Sequence, residues 1–437
     1  METFKMIEIA CFVLALGTAV FFFQKNAGRI RRNIQLGRDV DRSDRSSERW
    51  KIMGRVALGQ SKMVARPVAG FFHIIIYAGF LLINIEVLEI FIDGLLGTHR
   101  IFSGPLGGLY TAAIDFFELL SVGVILACLV FLWRRNVQRI KRFHTAEMRG
   151  WPTKDAQLIL YVELVLMGAL LMMNAAESKM EETIAGPFAI SQHLGFVFNG
   201  WSQHALHLAE RGFWWLHLIG ILAFLNYLPF SKHFHIILSF PNVWYSKLDP
   251  KGSMGNMASV KEEVEKMMDP NADPFAAPAE GTAEPERFGA KDVFDLHRVQ
   301  LMNAYTCTEC GRCTSVCPAH ETGKKLSPRK IMMDVRDRLD EVGKNIDKNG
   351  EFQDDGLSLL DDRISREELW ACTSCNACVD ACPVAIDPLS IILDMRRYLV
   401  MEESAAPQEL NLMMTNVENN GAPWQFAQAD RLNWAQD

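Results

Sequence analysis

Cys307-Thr308-Glu309-Cys310-Gly311-Arg312-Cys313-Thr314-Ser315-Val316-Cys317-Pro318 places four cysteines ahead of a proline. Cys372-Thr373-Ser374-Cys375-Asn376-Ala377-Cys378-Val379-Asp380-Ala381-Cys382-Pro383 repeats the pattern. Three thiolates within seven residues can wrap three irons of one iron–sulfur cube, while the fourth, turned away ahead of the proline, reaches a second cube. By that logic Cys307, Cys310, Cys313 and Cys382 hold one [4Fe–4S] cluster. Cys372, Cys375, Cys378 and Cys317 hold the other. Structural zinc takes four ligands, usually as two separated pairs, and two complete copies of the longer run argue against it. The chain has ten cysteines. The remaining two, Cys11 and Cys128, stand alone in apolar runs and read as packing residues.

The C-x2-C-x2-C-x3-C-P run is the bacterial ferredoxin signature. Residues 319–371 separate its two copies. Within them Arg329–Leu339 reads as a helix, and Ser365 and Glu368 have the spacing of a capping box that starts another. A long helical insert points to the α-helical ferredoxin type, as in the iron–sulfur subunits of succinate dehydrogenases. The flanks Thr306–Cys313 and Thr322-Gly323-Lys324-Lys325-Leu326-Ser327-Pro328-Arg329 resemble the iron–sulfur part of heterodisulfide-reductase-like proteins, over residues 291–400.

The rest of the chain is of another kind. Hydrophobic residues make up 49% of the 437 and charged residues 22%, with a net charge of −7. That mixture fits an apolar part joined to a soluble one, and no basic tract of the kind that holds nucleic acid appears outside the loops between apolar runs. Apolar stretches cover roughly 6–24, 67–93, 106–133, 155–177 and 212–240, each near the ~20 residues a helix needs to cross a bilayer. Lys25–Arg66 holds twelve Lys or Arg against four acids, and Arg134–Lys154 seven against one. The alternate loops hold few. Basic loops stay cytoplasmic, so the N-terminus is expected outside the plasma (inner) membrane and the cysteine-bearing half in the cytoplasm. The first stretch lacks a basic n-region and a clear cleavage site, and reads as a retained helix. Trp214, Trp215 and Trp133 are expected in interfacial belts.

Histidines inside spans are costly and usually functional. His73 lies about 10 Å along the second span from Arg66. On one continuous helix His217 and His235 would share a face about 27 Å apart, with His235 level with His73. Two facing imidazoles at one depth make an axial pair for a b-type haem. His233 is a rival that such a helix would turn about 160° away, although Pro229 can blur that phase. The alternative is that each histidine bonds a neighbouring carbonyl. Glu86, Glu89, Asp115, Glu118 and Glu163 also fall in spans, as proton handlers at a quinone site or as satisfied structural acids.

The run Pro229-Phe230-Ser231-Lys232-His233-Phe234-His235, with His217 upstream, resembles the fifth helix of the cytochrome b (gamma) subunit of respiratory nitrate reductase. The likeness covers residues 1–240. It implies two haems, each with one ligand from the fifth helix and one from the second. Here His73 matches the inner partner, but Ile83 stands where the outer one belongs. One haem b, on His73 and His235, is therefore expected, and a second would need another ligand to join His217.

The expected fold is all-α. A five-helix transmembrane bundle (1–240) leads through a linker (241–290, with a Pro- and acid-rich stretch at Met268–Glu286) to an α-helical dicluster ferredoxin domain (291–400) and a tail (401–437). The tail segment Asn416-Val417-Glu418-Asn419-Asn420-Gly421-Ala422-Pro423-Trp424, with Arg431 and Trp434, resembles the segment that precedes the cysteine-rich catalytic domain of heterodisulfide-reductase-like proteins. Ala422 stands where asparagine is more usual. The resemblance implies that the cysteine-rich domain sits on a separate polypeptide docked by the tail. No G-x-G-x-x-G follows a strand and no Walker loop occurs, so flavin or nucleotide chemistry is left to a partner. The leading expectation is an electron-transfer subunit of an oxidoreductase complex. It would link a cytoplasmic partner, either the cysteine-rich subunit or a flavoprotein, to membrane quinone through two [4Fe–4S] clusters and haem b. The rival readings are a haem-free membrane anchor for a ferredoxin module and a redox sensor.

Overall fold

A computed structural model describes residues 2–181, 183, 185–270 and 287–436. Most of the expected Pro- and acid-rich stretch, residues 271–286, lies outside the described residues. Helix accounts for 69% of the chain and no strand forms among the described residues, which makes the fold all-α. The principal helices are α1 (Glu2–Gln35), α2 (Ser46–Met53), α3 (Pro67–Leu96), α4 (Gly108–Asn136), α5 (Trp151–Glu177), α6 (Gln203–Tyr227) and α7 (His235–Trp244). They continue with α8 (Ala258–Met268), α9 (Arg298–Thr306), α10 (Pro328–Asn349), α11 (Arg366–Trp370), α12 (Ala377–Ala381), α13 (Pro388–Met401) and α14 (Gln408–Asn420).

Five helices, α1, α3, α4, α5 and the α6 segment continued to Phe230, are long and apolar enough to cross a membrane. They form one bundle in which α5 lies between α4 and α6, α3 lies against α4, and α1 closes the ring against α3 and α6. Glycine brings neighbouring helices close. A Cβ on Gly220 would stand 2.6 Å from the Leu166 side chain, and one on Gly79 would stand 2.6 Å from Val124. Small residues at such contacts let apolar helices gain dispersion contact that lipid alone does not supply. Cys128 is buried in this bundle and Cys11 faces outward from α1.

The fifth crossing departs from the continuous 212–240 helix that the sequence led us to expect. It starts earlier, at Gln203, where the Ser202 hydroxyl accepts from the Ala205 amide at 3.3 Å. It stops at Tyr227. Pro229 has no N–H to give to the helix ladder, and the chain makes two 3-10 turns, Leu228–Phe230 and Lys232–Phe234, before α7 begins at His235. The register between His217 and His235 is therefore broken. The earlier start also carries Trp214 three turns into the helix, where it is buried against Phe12 instead of sitting in a belt.

The C-terminal module packs α9, α10, α11 and α13 around Leu301, Ile331, Val335, Leu339, Ile391 and Leu399, all fully buried. The Ser327 hydroxyl accepts from the Lys330 amide and Pro328 opens α10, a proline position that spares the helix ladder. The capping box at Ser365 and Glu368 forms as expected: the Glu368 carboxylate accepts from the Ser365 amide at 2.9 Å. Fully buried Arg338 fastens the insert by bonding Asp292 at 2.9 Å and Asp355 at 2.7 Å.

The module seats directly on one end of the bundle. Ile30, Leu228 and Phe234 belong to the same buried apolar cluster as the module core. Helix α1 runs on past its apolar part, so that Asn33 donates to the Tyr305 hydroxyl at 2.8 Å and Arg32 donates to the Gly343 carbonyl at 2.9 Å. Backbone pairing adds Arg38 N to Leu296 O at 2.9 Å and Arg298 N to Arg38 O at 3.0 Å. At the centre, Lys232 from the 3-10 turn pairs with Glu309, and Glu309 pairs with Arg336 of α10 at 2.6 Å, all three largely buried.

Removing Glu309 leaves two buried cations facing each other, and breaking a buried pair in this way costs about 3–5 kcal/mol. Glu309→Ala should therefore loosen the seat, seen as faster amide hydrogen exchange across 229–234 and α9. Unchanged exchange there would show that this ion chain does not hold the halves together.

Candidate iron–sulfur and haem sites

The two cysteine loops share one backbone design. Glu309 (φ 53°) and Gly311 (φ 69°) are left-handed two and four residues after Cys307, and Ser374 (φ 56°) and Asn376 (φ 62°) repeat this after Cys372. Successive turns of this kind aim amides at a common point and make a concavity suited to an anion. Two such amide contacts reach sulfur: Ser374 N to Cys372 Sγ at 3.4 Å and Ile386 N to Cys382 Sγ at 3.3 Å. At Gly311 glycine is required twice over. The angle is left-handed, and a Cβ would stand 2.5 Å from the Arg329 guanidinium.

The two cysteine loops bring their thiols to one region of the module, with members of both expected sets in contact with it. One cavity is lined by Cys307, Cys310, Cys313 and Cys382, with Cys378 at its side. Cys372 lies within electrostatic reach of Cys317 and Cys375, and Cys378 within reach of Cys372 and Cys317. Burial pushes the Cys307 and Cys378 thiols up to about 12 and the Cys382 thiol up to about 11. Alone these thiols hold their protons, so becoming ligands requires a strongly attracting multivalent centre and releases those protons. Among the described residues no three His, Cys, Asp or Glu side chains converge on a single metal ion. Ligands on one zinc would stand about 4 Å apart, given Zn–S near 2.3 Å. A cube takes one thiolate at each of four separate irons.

The histidines lie between this region and the bundle. His73 of α3 is within electrostatic reach of His235 and of Arg312, which lies between Cys310 and Cys313. His233, set aside on helical phase, joins them: its ring is 5.5 Å from that of His235 and it also senses His73. The break at Pro229 turns both rings to one side, which a continuous helix would forbid. His235 Nδ1 donates to the Lys232 carbonyl at 3.0 Å, since a carbonyl only accepts, and this leaves Nε2 as the lone-pair nitrogen. Metal-bound histidines are held by this kind of second bond. His217, deep in α6, repeats it with the Leu166 carbonyl at 2.9 Å, and its Nε2 is buried without a hydrogen-bond partner. The Nδ1 of His73 is also buried without one. Of the orphaned atoms, Nε2 of His217 is the one that axial ligation uses when Nδ1 is held by a second bond.

The acids inside the bundle are mostly satisfied structurally. Glu89 accepts from the Tyr110 hydroxyl at 2.7 Å, Asp115 from the Ala189 amide at 2.8 Å, and Glu118 from Asn174 at 3.0 Å and the Ile190 amide at 2.8 Å. Sequence reasoning missed Arg100, a buried guanidinium at the far end of the bundle that bonds Glu177 at 2.8 Å and stands 3.7 Å from Glu86. Only the pairing of Arg100 with acids on two different helices, Glu86 of α3 and Glu177 of α5, makes it visible, and no local motif announces that pairing.

Comparison with known proteins agrees with the cysteine geometry. Residues 306–386 match the family model of the 4Fe-4S dicluster domain. The chain is similar to the probable iron-sulfur-binding oxidoreductase FadF of Bacillus subtilis, 26% identical over 99% of this chain and 61% of that protein. It is similar to the EtfAB:quinone oxidoreductase of Syntrophomonas wolfei, 26% identical over 91% of this chain and 55% of that protein. A probable membrane-anchored ferredoxin of Chromohalobacter salexigens is 35% identical over 34% of this chain and 24% of its own length. The chain thus spans little more than half the length of the first two relatives. No solved structure matches it. The chain thus carries a 4Fe-4S dicluster domain beside five helices long and apolar enough to cross a membrane.

Proposed function

We propose that the chain conducts single electrons between a soluble redox partner and the membrane quinone pool. In this reading Cys372, Cys375, Cys378 and Cys317 hold the outer cluster. Cys307, Cys310, Cys313 and Cys382 hold the inner one, and His73 and His235 hold haem b. The observation that carries it is the bond from Arg312, which lies between Cys310 and Cys313, to the Lys62 carbonyl at 2.8 Å, because it ties the cysteine loop to the start of α3, the helix that bears His73 with its buried, unpartnered imidazole nitrogen. When bound, the clusters and the haem supply the one-electron carriers. The chain's residues ligate them, keep water from the inner thiols and fix the spacing through the Lys232–Glu309–Arg336 seat.

The membrane orientation follows the basic loops: N-terminus outside, the cysteine module in the cytoplasm, the bundle in the plasma membrane. Resemblance to a quinone oxidoreductase favours quinone as the lipid-soluble partner. The soluble partner would be a flavoprotein or a separate cysteine-rich subunit. The tail offers it exposed Trp424, Phe426, Leu432 and Trp434, aromatic and aliphatic anchors of the kind that dominate interfaces.

The purified protein should show a b-type haem band on dithionite reduction, and His73→Ala should abolish it while iron–sulfur absorption persists. Intact clusters with no haem in the unmodified protein would return the chain to a membrane anchor. His217→Ala should leave the band unchanged if one haem is present, and halve it if His217 holds a second. Adding a reduced short-chain quinol should reduce the haem of the unmodified protein within seconds, and no reduction would remove quinone from the scheme.

A further inference from the structure

Five cations surround the inner thiol set, and three of them come from the loops of the membrane half. Lys62 Nζ donates to the Cys382 carbonyl at 3.1 Å. Arg142 Nε donates to the Cys310 carbonyl at 3.0 Å. Arg66 donates to the Ser315 hydroxyl at 2.6 Å, two residues from Cys313 and Cys317. From the module itself, buried Arg312 and Arg329 line the cavity. Arg329 has a counter-ion in Glu147 at 2.6 Å. Lys62, Arg66, Arg142 and Arg312 form no ion pair among the described residues, and their donors end on neutral oxygens: Arg312, for instance, gives its bond to the Lys62 carbonyl at 2.8 Å. Four cations are thus drawn together around a site that takes an anion, with no carboxylate bonded to any of them: the nearby acids Asp380 and Glu309 are paired elsewhere, Asp380 with Lys251 and Glu309 with Lys232 and Arg336.

The outer set is furnished differently. Arg396 bonds the Cys372 carbonyl at 2.5 Å, and the carboxylate of Asp387 lies within electrostatic reach of Cys378. Cys375 is exposed, so water screens what charge there is.

We infer that the basic collar makes the two thiol sets unequal, holding the inner [4Fe–4S] cluster at the higher reduction potential so that an electron exchanged between them rests on the inner one. This rests on the cluster reading above. A thiolate-ligated cube is anionic and gains one further negative charge when reduced, so nearby cations favour its reduced form. Their effect is strongest where water is excluded. Burial alone acts the other way, since it penalises the added charge. The measured order of potentials therefore decides between burial and the collar. In the exchange one electron leaves the outer cluster and enters the inner one, with no bond made and no proton moved. Because Lys62, Arg66 and Arg142 belong to the membrane half, this ordering exists only when the module is seated. Lys62, Arg66 and Arg142 are positioning residues for charge and ligate nothing.

The test is a potentiometric titration of the full-length holoprotein followed by electron paramagnetic resonance. Cys375→Ser marks which signal belongs to the outer cluster. The inner signal should titrate at the higher potential. Arg142→Gln should lower it at least tenfold in the reduced-to-oxidised ratio, 59 mV for one electron. The outer signal should stay in place and Arg142→Lys should restore the original value. If Arg142→Gln does not keep both clusters, Lys62→Gln gives the same reading. Two signals with the inner one equal or lower, or with neither cation variant moving it selectively, overturn the collar while leaving the cluster assignment intact. Absence of both signals overturns the cluster assignment itself, and the collar with it.

Discussion

Lys232 and Glu309 meet in a space largely closed to water, and the rest of the molecule is organised around that meeting. Lys232 follows the break in the fifth crossing, and Glu309 lies between the first two cysteines of the inner loop. One ion pair therefore joins the apolar bundle to the first cysteine loop. Two charges held in low dielectric attract strongly but pay heavily for lost hydration, so geometry must be good on both sides. Here Arg336 completes Glu309 at 2.6 Å, and Asp155 accepts from the Lys232 amide at 3.1 Å. Asp155 also accepts from Ser231 at 2.7 Å and so fixes the turn that presents Lys232.

From that seat the other features follow in order. The turn that carries Lys232 also carries His233 and His235. The loop that carries Glu309 also carries Arg312, which reaches back to the backbone of Lys62 just before α3, the helix that bears His73. Imidazoles and thiols are thus brought together by the same few residues that hold the two halves in contact. The basic loops serve twice in this arrangement. They carry the charge asymmetry that orients a membrane protein, and they place Lys62, Arg66 and Arg142 on the carbonyls and hydroxyl around the inner thiols.

What the sequence made legible was local. Cysteine spacing is a property of eleven consecutive residues, and the 4Fe-4S dicluster domain is legible at that short range. The capping box at Ser365 and the length of the apolar runs are equally local, and both were readable. What stayed hidden depends on contacts distant in sequence or on one break in a regular element. Pro229 ends α6 in two 3-10 turns, and so the phase argument that set His233 aside does not apply. The charged end of α1 looks like a loop in the sequence because its polar face is covered by Tyr305, Leu339, Gly343 and Asp347, some three hundred residues away. Arg100 hid for the same reason.

The account stands or falls on what the eight thiols bind. Iron and acid-labile sulfide should be counted per polypeptide in anaerobically purified full-length protein, with haem iron subtracted from its own absorption. Two cubes require about eight iron and eight sulfide per chain. Stoichiometric zinc, or iron without matching sulfide, would contradict the account at its base.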